Sequence, residues 1–298
     1  MDFQQVMAEF KAYADYVDQY IEKTAETRAS RVPEKLFESM EYSLTAGGKK
    51  LRPVLCLAAA EACGCAKDQA MPMALGYEMT HTASLIHDDL PCMDDDDMRR
   101  GKPSNHAKFG ETLAVLAGDA LMVESIAYPL VYTSGVSSDR LLNAVRIFTE
   151  AFGPSGVCGG QVLDMDSALA EKEPDYVRKV AALKTGELIK AALMSGAALG
   201  TDDGKTLLIF EEYGKHLGAA FQIIDDILDV TTTAEQLGKT PGKDAEQGKI
   251  NYVTAYGLEK AKEFAKEESE AAKAVISELL GEESFLAQLP MALLERTK

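Results

Sequence analysis

Apolar residues recur at intervals of three and four along almost the whole chain, the spacing of helices that bury one face. Alternating β-branched runs bounded by turn pairs are nearly absent, so strands are not expected. The pattern predicts a first helix from Phe3 to Thr27. Pro33, at a first-turn position, opens a second that runs to Leu44, and Gly47-Gly48 ends it. Pro53 opens an apolar helix from Val54 to Ala62. Another spans Asp68 to Leu90, where Pro91 stops or kinks it. Lys108 to Tyr132 reads as helical, bent near its end by Pro129. Asp139 to Phe152 follows, and Gly153-Pro154 separates it from a stretch reaching Ser167. Pro174 opens a helix to Leu199. Asp202 or Asp203 caps one that ends near Val230, apolar on most faces from Leu207 onward, as a buried member of a bundle should be. Between Thr231 and Ile250 the periodicity is lost, and Gly238, Pro241, Gly242 and Gly248 interleave with Lys239, Lys243 and Lys249: a basic loop. A charged amphipathic helix and a short one near Glu283 to Glu295 complete the chain. No fixed-period repeat and no linker divides it, so residues 1–298 are expected to form one all-α domain.

The chain has 298 residues, long enough to bury a large core. Its net charge of −17 argues against a nucleic-acid partner, which would need a basic face. An anionic substrate remains compatible, because bound metal ions invert the local sign. The five cysteines form no CxxC pair, and Cys63 and Cys65 stand too close together for an ordinary zinc pair. Reduced thiols in the cytoplasm are expected. The start, Met1-Asp2-Phe3, lacks a basic region followed by an apolar one, so no signal peptide is expected. With no run of eighteen apolar residues, neither is a membrane span.

Two aspartate groups carry the chemical signal. Asp225 and Asp229 share a helix face, with Gln222 one turn earlier, amid Phe221, Ile223, Ile224, Ile227 and Leu228. Carboxylates inside an apolar helix are costly unless something neutralises them, and a divalent cation does so. An acidic turn paired with lysine or arginine is the alternative. The first group is His87-Asp88-Asp89-Leu90-Pro91-Cys92-Met93-Asp94, continuing through Asp97. On an unbroken helix six residues turn about 600°, which separates Asp88 from Asp94. Pro91 interrupts the hydrogen bonding and lets Asp94 return. Arg99-Arg100-Gly101-Lys102 follows at once, and arginines beside metal-binding acids suit a diphosphate. Asp96 and Asp97 read better as a solvated turn. Gly47-Gly48-Lys49-Lys50-Leu51-Arg52 sets three cations at a helix start, which favours anions. Lys184-Thr185-Gly186 places a cation and a hydroxyl inside a helical stretch.

With those residues in place, the chain resembles the trans-isoprenyl diphosphate synthases, in particular the bacterial short-chain enzymes of the farnesyl and geranylgeranyl type. The similarity covers nearly the whole length. It is strongest from His81 to Asp94 and through Arg99 to Pro103, and Gly47 to Pro53, Lys184-Thr185, Phe221-Gln222 and Asp225 to Asp229 fall in the family's order. The resemblance implies about a dozen helices around a deep central cavity, in a homodimer. It implies three magnesium ions on Asp88, Asp94 and Asp225, with Asp89 and Asp229 supporting. Allylic diphosphate would bind those ions with Arg99, Lys184, Lys239 and Lys249, and isopentenyl diphosphate would bind near Lys49, Arg52, His81 and Arg100. Thr185 and Gln222 would flank the reacting carbons. The basic loop from Leu237 to Lys249 is a candidate lid. His87-Asp88, with His81 nearby, also looks like the paired ligands of the helical HD metal phosphohydrolases, a reading that leaves the second aspartate group unexplained. A noncatalytic partner subunit would have lost aspartates that this chain keeps.

The resemblance also bears on product length. In the family an aromatic residue five positions before the first motif commonly walls off growth at 15 carbons. Here that position is Ala83, followed by Ser84, and Met79 lies one turn further from the aspartates as a lower floor. The open Ala83 position points to a 20-carbon product, against the alternative that another helix supplies the wall and growth stops at 15. Replacing Ala83 by tyrosine is expected to shorten the product. An unchanged product spectrum by mass spectrometry would remove Ala83 from the role of gate.

Overall fold

The computed structural model describes residues 1–165, 175–231 and 250–295. It is all-α apart from one small hairpin, as the helical spacing predicts. In chain order the helices are α1 (Phe3–Ala29), α2 (Glu34–Leu44), α3 (Leu51–Ala62), α4 (Lys67–Asp88), α5 (Asn105–Phe109), α6 (Glu111–Tyr132), α7 (Ser138–Phe152) and α8 (Val157–Met165). After residue 174 come α9 (Tyr176–Val180), a π-helical turn (Ala181–Gly186), α10 (Glu187–Gly200) and α11 (Gly204–Thr231). The last are α12 (Tyr252–Tyr256), α13 (Leu258–Leu280) and α14 (Phe285–Glu295).

The boundaries follow local chemistry. Asp2 accepts the Gln5 backbone N–H while Gln5 reaches back to Asp2, a capping box that starts α1. Gly110, Gly257 and Gly281 take positive φ between consecutive helices. Gly110 splits the predicted Lys108–Tyr132 helix into α5 and α6, and Gly257 separates α12 from α13. Helix α12, which lacks a strong periodic signal of its own, is capped by the Asn251 side chain on Thr254 N–H at 2.9 Å.

The core is built from α3, α4, α10 and α11, with Tyr77, Phe148, Phe210 and Tyr213 fully buried. The Tyr77 and Phe148 rings lie 4.6 Å apart. The Tyr77 hydroxyl pairs with Ser195 at 2.8 Å, and Ser195 donates to the Ala144 carbonyl at 2.8 Å, so the buried polar atoms are satisfied. Glycine sets how near some helices lie. A side chain at Gly196 on α10 would strike the Cys56 carbonyl of α3.

Helix α6 is long and apolar enough to cross a membrane by length and composition, with 39% of its most apolar window buried. A single such helix is no membrane span, and Asp119 and Glu124 interrupt its apolar run, in keeping with the sequence expectation. One face of α6 packs along α4. The other leaves Leu116, Val123 and Val131 exposed, and Leu142 of α7 is exposed too.

Gly196→Ala is expected to lower unfolding stability by about 1–3 kcal/mol, because the new methyl overpacks a buried helix crossing. Denaturant melts monitored by circular dichroism would measure it.

Candidate active site

Helix α4 ends at Asp88, and the chain then doubles back. Asp94 N–H donates to the Asp88 carbonyl at 2.8 Å and Asp96 N–H to the Asp89 carbonyl at 3.1 Å. Pro91 sits in this loop, so Asp94 returns beside Asp88 as the sequence suggested. The acids therefore gather at the negative end of the α4 dipole, an unfavourable place without cations. Burial pushes the Asp88 carboxyl up, Lys184 pulls it down and Asp94 pushes it up again. Gln161 on α8 donates to Asp88 Oδ1 at 3.0 Å.

Asp89 is buried and held by Arg99, whose Nε lies 2.9 and 3.2 Å from its two oxygens and whose Nη2 completes a fork. Burial raises the Asp89 carboxyl more than Arg99 lowers it. Arg99 reaches this position from a hairpin in which β1 (Met98–Arg99) pairs antiparallel with β2 (Lys102–Pro103). Arg100 and Gly101 both take positive φ at its tip, the geometry of a tight two-residue connection. Arg100 bonds the Gly47 carbonyl, and its guanidinium lies where a side chain at Gly48 would stand. The glycine pair before Lys49 thus makes room for a cation.

The second acid group lies on α11. Asp225 is partly exposed, 3.7 Å from Lys49 Nζ, while Asp229 is buried. Asp226 is committed to structure: it accepts Gln222 Nε2 at 2.7 Å and the Tyr252 backbone N–H at 2.8 Å, tying α11 to α12. Gln222 Oε1 in turn accepts the Thr185 hydroxyl at 2.6 Å. Lys184 pairs with Asp164 of α8 at 2.5 Å. Both Lys184 and Thr185 sit on the π-helical turn, inside the stretch that the sequence reads as one helix from Pro174 to Leu199. Gly160 on α8 and Gly218 on α11 let their helices close onto that turn.

A cavity of 520 Å³ runs from Lys49, Arg52, His81 and Arg100 to Thr185, Gln222 and Asp225. A second, of 130 Å³, lies beyond Thr185 and Gln222 beside Lys184, Asp164 and Tyr252. Burial, then the surrounding Arg52, Arg100, Lys50 and Arg99, drives the His81 imidazole well below its ordinary range, so it is neutral at pH 7. Burial lowers Arg52 to about 10, against support from Glu78 and Asp225. His87 faces elsewhere, 3.1 Å from the Val115 carbonyl and 3.7 Å from Asp119 on α6. The two histidines of the HD reading therefore address different surroundings. Met79 and Ala83 are fully buried. Helical spacing puts Ala83 on the face of α4 that carries Thr80, bonded to Ser125 of α6 at 2.7 Å, and His87. Ser84 donates to the His81 carbonyl at 2.9 Å. Lys239, Lys249 and the candidate lid lie outside the described residues.

Sequence reasoning missed Gln161 and Asp164. Their signal was present: a glutamine and an aspartate three apart, on one face of a glycine-rich apolar helix. Among the described residues, no three His, Cys, Asp or Glu side chains form a ready-made metal cage. The acids instead offer hard oxygen donors from two helices, held up in pKa by burial at Asp88 and Asp89. That donor set fits a cation that takes one or two carboxylates and completes its shell with substrate oxygens and water.

Residues 33–284 match the polyprenyl synthetase family model. A dimethylallyltranstransferase of Fischerella ambigua is 46% identical over 264 residues, covering 87% of this chain and 76% of its own. A chloroplastic geranylgeranyl pyrophosphate synthase of Catharanthus roseus is 41% identical over 272 residues, covering 91% and 76%. Among solved structures, a geranyltransferase from Legionella pneumophila superposes with a TM-score of 0.85 at 27% identity, covering 99% of this chain and 98% of its own.

The depressed His81 pKa has a stability consequence. The unfolded chain takes up this proton near pH 6.5 and the folded chain does not, so the contribution is full above that pH and is lost as pH falls below it. Thermal melts across this range should show His81→Asn with a flatter acid limb than the parent.

Proposed function

Because this chain belongs to the polyprenyl synthetase family, we propose that it is a short-chain prenyl diphosphate synthase that condenses isopentenyl diphosphate with dimethylallyl, geranyl and farnesyl diphosphates, ending at geranylgeranyl diphosphate. The observation that carries the reading is one cation-lined cavity bordered by Asp225 of α11 and by Arg99, which holds Asp89 in the turn where Asp94 bonds back to Asp88 at the end of α4. The 20-carbon product is supported by the small side chain at Ala83 and by relatives named geranylgeranyl pyrophosphate synthases. An FPP/GFPP synthase of Zymomonas mobilis, with a TM-score of 0.80 at 29% identity, keeps the 15-carbon alternative in view.

Asp88, Asp94 and Asp225 would hold magnesium, three ions in all, with Asp89 and Asp229 in support; the bound cations supply the charge that stabilises a departing diphosphate. Lys184 adds a fixed ammonium beside Asp88, positioned by Asp164. Lys49, Arg52 and Arg100 bind the diphosphate of isopentenyl diphosphate, and neutral His81 adds a hydrogen bond without adding charge. Thr185 and Gln222, locked to each other, border the space where the allylic carbon meets the double bond. Phe221 lines the same cavity and helps exclude water that would quench the carbocation. The final proton passes to the departed diphosphate, so no side-chain base is required. Lys239 and Lys249 are assigned to the allylic diphosphate through the loop that carries them.

The exposed apolar face formed by Leu116, Val123 and Val131 with Leu142 is a natural seat for a second copy of the chain, and we assign the homodimer to it.

Purified protein given magnesium, isopentenyl diphosphate and each allylic primer should yield a 20-carbon diphosphate by mass spectrometry. A chelator should abolish the reaction, and Asp225→Asn should slow turnover about a hundredfold. Stopping at 15 carbons would keep the reaction class and move the wall; phosphate release without elongation would overturn the proposal. Val123→Glu should convert the dimer to monomer by light scattering, and an unchanged mass would move the interface elsewhere.

A further inference from the structure

One buried anion stands in the wall of the cation-rich cavity. Glu78 lies one turn before His81 on α4 and is 1% exposed. Its Oε1 is 3.1 Å from Lys50 Nζ, and the Lys50 side chain is itself fully buried. A second carboxylate, Asp18 of α1, approaches the same ammonium at 3.4 Å. Lys50 also takes a left-handed φ of 54°, a conformation that costs a non-glycine residue about 1–2 kcal/mol. Something must hold it there, and the buried ion pair does so. Lys50 is thereby fixed between Lys49 and Arg52, which share the cavity wall.

Glu78 also acts on Arg52 directly. Among the charges that surround Arg52 it gives the largest support to the protonated guanidinium, against the burial that lowers it. Arg52 keeps an unsatisfied atom: its Nε is buried and makes no hydrogen bond, whereas Glu78 Oε1 has Lys50 as its partner. A buried guanidinium N–H left open in this wall is a donor that a diphosphate oxygen can complete.

We infer that Glu78 is a positioning residue of the isopentenyl diphosphate subsite, holding Lys50 and Arg52 so that Lys49 and Arg52 face the diphosphate. This inference rests on the synthase reading above. It runs against simple electrostatics. An anion near a diphosphate repels it, so if Glu78 only contributed charge, its removal would tighten binding. A positioning role predicts the reverse.

The test measures the Michaelis constants for both substrates in Glu78→Gln, with thermal melts alongside. Asp18 still faces Lys50 in that variant. The expected result is a rise of about tenfold in the constant for isopentenyl diphosphate, with that for the allylic diphosphate unmoved. If Glu78→Gln does not fold, Lys50→Met/Glu78→Gln, which removes both charges of the pair, is read in the same way. An unchanged or lower constant for isopentenyl diphosphate, or a parallel rise in both, overturns the inference. Calorimetric titration of isopentenyl diphosphate into each protein repeats the comparison without turnover. A parent protein that neither binds nor consumes isopentenyl diphosphate overturns the synthase reading, and this inference with it. A parent that does both, beside an unaltered variant, overturns this inference alone.

Discussion

Everything at this site depends on the balance of charge in a partly buried place. Aspartates from the C-terminal ends of α4 and α11 sit where water cannot fully solvate them, and the helix dipoles add to the cost. Protein cations offset part of it: Arg99 on Asp89, Lys184 near Asp88, Lys49 near Asp225. Along the cavity wall the problem is inverted: His81 is kept neutral first by burial and then by the crowding of Arg52 and Arg100. Acids and cations brought together in this way suit an anionic ligand that meets the cations directly and the acids through a neutralising cation.

The scaffold serves that balance by bringing backbones unusually close. Gly160 and Gly218 allow α8 and α11 to press on the π-helical turn, which sets Thr185 in the wall of the larger cavity and Lys184 in that of the smaller one beside it. Gly48 leaves room for Arg100, and Gly47 accepts its hydrogen bond. Shared bonds then lock neighbouring elements: Thr185 to Gln222, Gln222 to Asp226, Asp226 to the start of α12. These links run between elements far apart in sequence, so the geometry around the reacting carbons is a property of the packed bundle.

Much of this was legible in the residues. The helical period placed nearly every long helix, and where it erred the reason was local. Gly110 and Gly257 break helices by adopting positive φ, and Arg100-Gly101 forms a tight turn too short to show strand periodicity. The return of Asp94 to Asp88 was readable because Pro91 cannot continue a helix. The part played by Arg99 was not readable: adjacency to the acids suggested a phosphate ligand, whereas in the structure Asp89 holds it.

The sequence by itself determined the fold class, the two aspartate groups and the sign of the charge around them, because periodicity, proline and charge act locally. Only the tertiary structure decided which acid is structural and which is open, as the contrast of Asp226 with Asp225 shows. It alone set His81 in a cationic cavity and turned His87 toward α6, and it alone paired Glu78 with Lys50. Burial and long-range pairing decide those roles, and both depend on neighbours that the chain supplies from many residues away.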